Sequence, residues 1–140
     1  MKKTNLSQHN IRLQLERLKK FIRREDLNLA MYTTKKYYDR VRPSILSKEL
    51  FQQGLIDKEL NTWIRIPTHP SYPSGHATQT MYVATILSYF DKDNSKTYED
   101  AADEISTNRE IAGLHFRSDT LAGYELGKKL ANKLIDNNFI

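Results

Sequence analysis

Residues 118–136, SDTLAGYELGKKLANKLID, decide the fold class. Leu126, Leu130 and Leu134 stand four apart, which puts them on one face of an α-helix. Gly123, Gly127 and Ala131 keep the same spacing beside them. A seam of such small residues lets a second helix approach closely. Working outward, the same period recurs almost everywhere. Residues 74–89 form an apolar helical stretch headed by serine, a preferred N-cap. Residues 98–113 form another. Before them, 45–53 is closed by Gly54, and 27–38 lies in a region that Pro43 ends, because proline disfavours helical geometry in the residue before it. Nearest the N-terminus, Ile11, Leu15, Leu18 and Ile22 fall at i, i+4, i+7 and i+11, with Leu13 and Phe21 widening the stripe. Between the helical stretches lie a loop, 61–73, with Pro67, Pro70, Pro73 and Trp63, and a turn, 91–95. No alternating strand pattern, internal repeat or low-complexity segment is present. The predicted fold is all-α, a compact bundle of about six helices.

Length and composition narrow the function. A chain of 140 residues reads as one domain, 1–140, with a short helical extension over about residues 1–30. Its most apolar stretch, 81–90, is about half the ~20 residues a membrane span requires. The N-terminus stays polar behind its lysines, unlike a signal peptide. The expected location is therefore cytoplasmic; a processed, exported chain would read the same from Lys2 onward. Cysteine is absent, which excludes disulfides, thiolate metal sites and a cysteine nucleophile. The net charge of +5 favours anionic partners. The basic run 17–24, RLKKFIRR, keeps helical spacing between its charges and reads as a solvated helix face. No stacking or groove-reading motif accompanies it, so nucleic acid is not an expected partner. Asp91 and Asp93 in DKDN resemble part of a calcium loop but lack its glycine and distal glutamate.

Three segments carry the chemistry. In the first, KKYYDRVRP (35–43), Lys35 and Arg42 could clamp an oxyanion, arginine as a fixed fork and lysine as a point charge. Read alone, the segment is equally a charged helix end. In the second, PSGH (73–76), a helix N-terminus with glycine at its start presents free N–H groups to an anion. Ser74 could bind through its hydroxyl, Gly75 through its N–H, and His76 could carry a proton from the first turn. The competing reading is a capped helix that contains a histidine. In the third, REIAGLHFRSD (109–119), Arg109 precedes His115 by six residues and Asp119 follows it by four. A carboxylate within reach of Nδ1 sets a histidine's tautomer and leaves Nε2 free as nucleophile or base. Against this, Asp119 could simply cap a helix and His115 simply pack. Together, the three segments supply what is needed to hold a tetrahedral oxyanion, attack it and protonate what leaves.

Taken together, the segments resemble the signature of the type 2 phosphatidic acid phosphatase and vanadium haloperoxidase superfamily, K-x6-RP, PSGH and SR-x5-H-x3-D. SYPSGHAT (71–78) is similar to the soluble bacterial class A acid phosphatases. The resemblance covers about residues 30–134. It implies an α-helical fold with the active site between helices. It implies that Lys35, Arg42 and Arg109 bind phosphate oxygens together with Ser74 and the Gly75 N–H. His115 would be the nucleophile that becomes phosphohistidine, Asp119 its orienting partner, and His76 the general acid. Asn108 departs from the serine usual before the arginine. About thirty residues precede the first motif, so the expected rim is more open than in larger relatives, or covered by a second copy of the chain.

The expected activity is metal-independent hydrolysis of a phosphomonoester or diphosphate, with no cofactor and a small phosphorylated substrate as partner. Two alternatives belong to other classes. One is a vanadate-dependent haloperoxidase, whose cofactor would occupy the same pocket. The other is a non-catalytic anion-binding module. Homo-oligomerisation is left open by the sequence.

Overall fold

The structure is a computed structural model, and it describes residues 23–138 together with Leu13, Glu16, Arg17, Lys19 and Lys20. Five α-helices follow in order: α1 (Glu25–Tyr38), α2 (Pro43–Gln52), α3 (Gly75–Phe90), α4 (Ser95–Ile111) and α5 (Arg117–Asp136), with a 3-10 turn at Lys92–Asn94. The fold is all-α, with no strand among the described residues. The helix expected from Ile11, Leu15, Leu18 and Ile22 lies outside the described residues, which leaves five helices where about six were expected.

The helix ends have local causes. Pro43 occupies the first turn of α2, where its missing N–H would have no partner in any case. It therefore starts a helix, whereas the sequence reading used it to end the preceding region. Gly54 at φ +69° and Gly113 at φ +71° turn the chain after α2 and α4. Helix α4 begins three residues earlier than position 98, because Ser95 bonds back to the Lys92 carbonyl and the 3-10 turn feeds straight into it. Asp91 belongs to this turn, accepting from Asn94 Nδ2 at 2.9 Å and Tyr98 OH at 2.7 Å.

Helix α3 is central. It buries Ala77, Thr78, Met81, Tyr82, Ala84 and Ile86. One core cluster joins α1, α3 and α5 through Leu27, Tyr82, Ile86, Ala131 and Leu134, with Leu130 packed against it. A second joins α3 and α4 through Met81, Ala84 and Ala102, with Tyr98 and Tyr124 alongside. Burying one such leucine is worth roughly 2 kcal/mol. The small-residue seam of α5 lies flat on α3. A Cβ at Gly123 would stand 2.7 Å from the Ser74 carbonyl oxygen, and one at Gly127 would stand 2.9 Å from the Tyr82 nitrogen and closer still to the Thr78 carbonyl. This contact holds the N-terminus of α3 against that of α5. The Ser74 N–H donates to the Asp119 carbonyl at 2.9 Å, locking the two ends together.

Candidate active site

The first turns of α3 and α5, the end of α1, the start of α2 and the end of α4 converge on one cleft of about 140 Å³. Six of the eight residues expected at the site line it: Lys35, Arg42, Gly75, His76, Arg109 and His115. Asp119 and Ser74 stand directly behind, both fully buried. Residues from positions 35 to 115 thus reach one small volume.

His115 sits in the short loop between α4 and α5. It is 5% exposed, and its Nε2 faces Arg42, 3.5 Å from a guanidinium nitrogen. Its Nδ1 lies 3.5 Å from Asp119 Oδ2, facing the carboxylate but not tightly bonded. Asp119 Oδ2 also accepts the Phe116 N–H at 2.9 Å, and Oδ1 accepts from Arg40 at 2.7 Å. Burial works to raise the Asp119 pKa, but His115, then the Phe116 N–H and Arg40, outweigh it and hold the carboxyl below its ordinary range. His115 is itself pushed down by burial, with Asp119 opposing and the Arg42 and Lys35 charges adding to the shift.

The cations divide into two kinds. Lys35, 2% exposed, donates to the carbonyls of Pro70 (2.9 Å), Ser71 (3.3 Å) and Pro73 (2.5 Å). Burial, then the Arg42 charge, lowers it to about 8. Arg42, 1% exposed, donates to the carbonyls of His69 (3.2 Å), Leu114 (2.8 Å) and Pro70 (3.5 Å). Both side chains therefore pin the proline-rich loop to the floor of the cleft, and Arg42 pins the His115 loop as well, while both contribute positive charge to it. Arg109 is different. Its buried Nε has no partner among the described residues, so it holds a donor ready for an incoming anion.

The α3 N-terminus completes the cradle. Ser74 is the N-cap, and its hydroxyl oxygen accepts from the Ala77 N–H at 3.3 Å. It lies behind the cleft and does not line it. The N–H groups at the start of α3 have no intrahelical partner and carry the positive end of the helix dipole. His76 projects from this first turn, exposed on its outer side. Desolvation of its inner side, then the charges of Arg109, His115, Arg42 and Lys35, push it down to about 4.

Two residues not singled out in the sequence belong here. His69 lines the cleft, with Nδ1 3.2 Å from Arg42 and its ring edge-on to Tyr32. Arg40 pairs with Asp119 and Ser118, each at 2.7 Å, and lies over the Tyr72 ring, 4.6 Å from its centroid. Its position inside the K-x6-R spacer is the signal that was available. Asn108 is exposed on α4 and does not line the cleft. Among the described residues, no group of three or more His, Cys, Asp or Glu side chains is placed to hold a metal ion.

A helical bundle that gathers three cations, a helix N-terminus and a His–Asp pair around one oxyanion-sized cleft defines a class of site. The chain belongs to the PAP2 superfamily, whose profile matches residues 27–132. It is 32% identical to the non-specific acid phosphatase of Salmonella typhi, over 70% of this chain and 37% of that protein. It is 33% identical to the vanadium-dependent bromoperoxidase of Ascophyllum nodosum, over 46% of this chain and 17% of that protein. The chain thus spans less than two fifths of the length of either relative. The crystal structure of a transmembrane PAP2 type phosphatidylglycerolphosphate phosphatase from Bacillus subtilis shares the fold. Its TM-score is 0.61 at 20% identity, covering 88% of this chain and 58% of that one. In the present chain, no helix among the described residues is long and apolar enough to cross a membrane.

Proposed function

We propose that the chain is a phosphoric ester hydrolase that releases phosphate from phosphomonoesters or diphosphates through a phosphohistidine on His115, without a metal ion. The observation that carries this reading is the setting of His115. Its Nε2 faces the cationic cleft while its Nδ1 faces a buried, ionised carboxylate. Nε2 attacks phosphorus as the bond to the ester oxygen breaks, and that oxygen takes a proton from His76. Water then attacks phosphorus, giving its proton to the now neutral His76, and the P–N bond breaks to release phosphate. Lys35, Arg42, Arg109 and the α3 N-terminus stabilise charge on the equatorial oxygens, as phosphoryl transfer demands.

Desolvation first, and then the neighbouring positive charges, lower the pKa of His76. A bound phosphate dianion opposes the charge part of that shift and so favours the imidazolium that gives up the proton. His115→Ala should lower turnover at least about a thousandfold while circular dichroism stays unchanged. A folded variant that retains a few per cent of activity would refute the nucleophile assignment. His76→Ala should slow alkyl phosphates more than p-nitrophenyl phosphate, whose leaving group needs less protonation. Native activity should also persist in EDTA.

The bromoperoxidase relative supports a second reading. Vanadate is a tetrahedral oxyanion, and the same residues would hold it: Arg109 with its unpartnered buried Nε, Lys35, Arg42, the Gly75 N–H and His115. Bound there, it would supply peroxide activation for halide oxidation. The acid phosphatase match covers more of this chain, 70% against 46%, and this supports hydrolysis as the first reading. Bromide oxidation with vanadate and peroxide tests the second reading directly.

A further inference from the structure

The crevice between α3 and α4 continues past the oxyanion cleft. His76 on α3 and Arg109 on α4 face the cleft. One turn along each helix, Thr80 and Ile105 open a second hollow of about 280 Å³, and Gln79 lines both. The hollow exists because Ala84, Ala101 and Ala102 carry nothing beyond Cβ. The helices leave a gap there, flanked by Val83, Leu87 and Ile105. At its far end stands the Tyr98 ring, whose hydroxyl is tied to Asp91 at 2.7 Å. At its near end the Thr80 hydroxyl already donates to the His76 carbonyl at 2.8 Å. No charged side chain among the described residues lines it.

We infer that this hollow is a leaving-group subsite that takes the unbranched alkyl chain of a phosphomonoester whose phosphate lies in the cleft. The inference rests on the phosphatase reading and names its substrate class. Continuity chooses the occupant. Thr80, Val83 and Leu87 follow His76 by four, seven and eleven residues, which places all four on one face of α3. The group attached to the oxygen that His76 protonates therefore begins at the mouth of the hollow. A sugar or nucleotide finds no charged partner there, whereas methylenes leave water. From Gln79 to Leu87 the helix rises about 12 Å, room for an extended chain of roughly eight carbons. Full burial would favour each methylene about fourfold; an open groove covers about half its surface, giving about twofold.

The test is kcat/KM for straight-chain alkyl phosphates from ethyl to decyl, each below its aggregation concentration, with the mass of the protein in solution measured alongside. The expected result is a rise of about twofold per methylene that levels off near octyl. Ala101→Phe fills the hollow and Ile105→Asp puts a carboxylate in it; both positions are exposed, so the fold accommodates either. In both variants the octyl-to-ethyl ratio should fall to about one. A flat series in the native chain, with ethyl phosphate still hydrolysed, overturns the subsite and leaves the phosphatase reading standing. No hydrolysis of any member overturns both. A flat series in which Ala101→Phe turns a dimer into a monomer assigns the hollow to a second copy of the chain and also overturns the subsite.

Discussion

Asp119 meets three neighbours with one carboxylate. Oδ2 caps the first turn of α5 through the Phe116 N–H and faces His115, while Oδ1 takes Arg40. Capping and orienting looked like alternatives in the sequence; in the fold they do not exclude each other, because the oxygen that takes the Phe116 N–H also stands 3.5 Å from Nδ1. The His115–Asp119 spacing was legible, since four residues span one turn. Arg40 was not, because it lies 79 positions from Asp119 and only the fold brings them together. Arg40 lowers the Asp119 pKa, so Arg40→Gln should raise it. The acid limb of the pH–rate profile should then move to higher pH, with kcat down about tenfold to hundredfold. Arg40→Lys should restore much of the rate, since it restores the charge. An unshifted profile in Arg40→Gln would show that the ion pair only braces the fold.

At the scale of elements, the helix pair α3–α5 sets the site. Two glycines on α5 let the backbones touch, and the Ser74–Asp119 backbone bond sits at the top of that contact. Gly127→Ala should therefore destabilise the protein by about 1–3 kcal/mol, since its Cβ meets backbone that cannot swing away. Urea unfolding measures this. Gly123→Ala lies nearer the site, against the Ser74 carbonyl and the Ala77 side chain. It should lower kcat in the fraction that remains folded, because it displaces the α3 N-terminus from His115. A Gly123→Ala enzyme with native kcat would show that the seam and the cleft are uncoupled. Helix α2 illustrates the limit of local reading. Pro43 looked like a terminator; a proline is compatible both with the end of one helix and with the first turn of the next, and the structure shows it in the second place.

At the scale of the molecule, the cleft gathers like charges. Lys35, Arg42, His76 and His115 all have lowered pKa values, first through burial and then through one another or through Arg109. A histidine lowered in the folded state binds its proton more readily when unfolded. Stability should thus be full above the unfolded value of about 6.5 and fall as pH drops toward the folded value, about 4 for His76. Phosphate binds only the folded state and offsets these charges, so it should raise Tm, and raise it more at pH 5.5 than at pH 7.5. Thermal melts with and without phosphate at the two pH values test this. An equal shift at both would mean that the histidines do not couple to the anion.

The sequence by itself determined the all-α class, most helix limits and six of the residues that line the cleft. Each of these depends on local periodicity, on caps and turns, or on motifs whose spacing is set within one segment. Tertiary structure decided how the cations divide. Lys35 and Arg42 reach carbonyls 27 to 72 positions away and build the cleft, while the buried Nε of Arg109 has no partner among the described residues. It also brought in His69 and Arg40, and it left the apolar hollow beside Gln79. Hydrogen-bond partners and the gaps between helices depend on which segments meet, and that is a property of the packed chain rather than of any stretch within it.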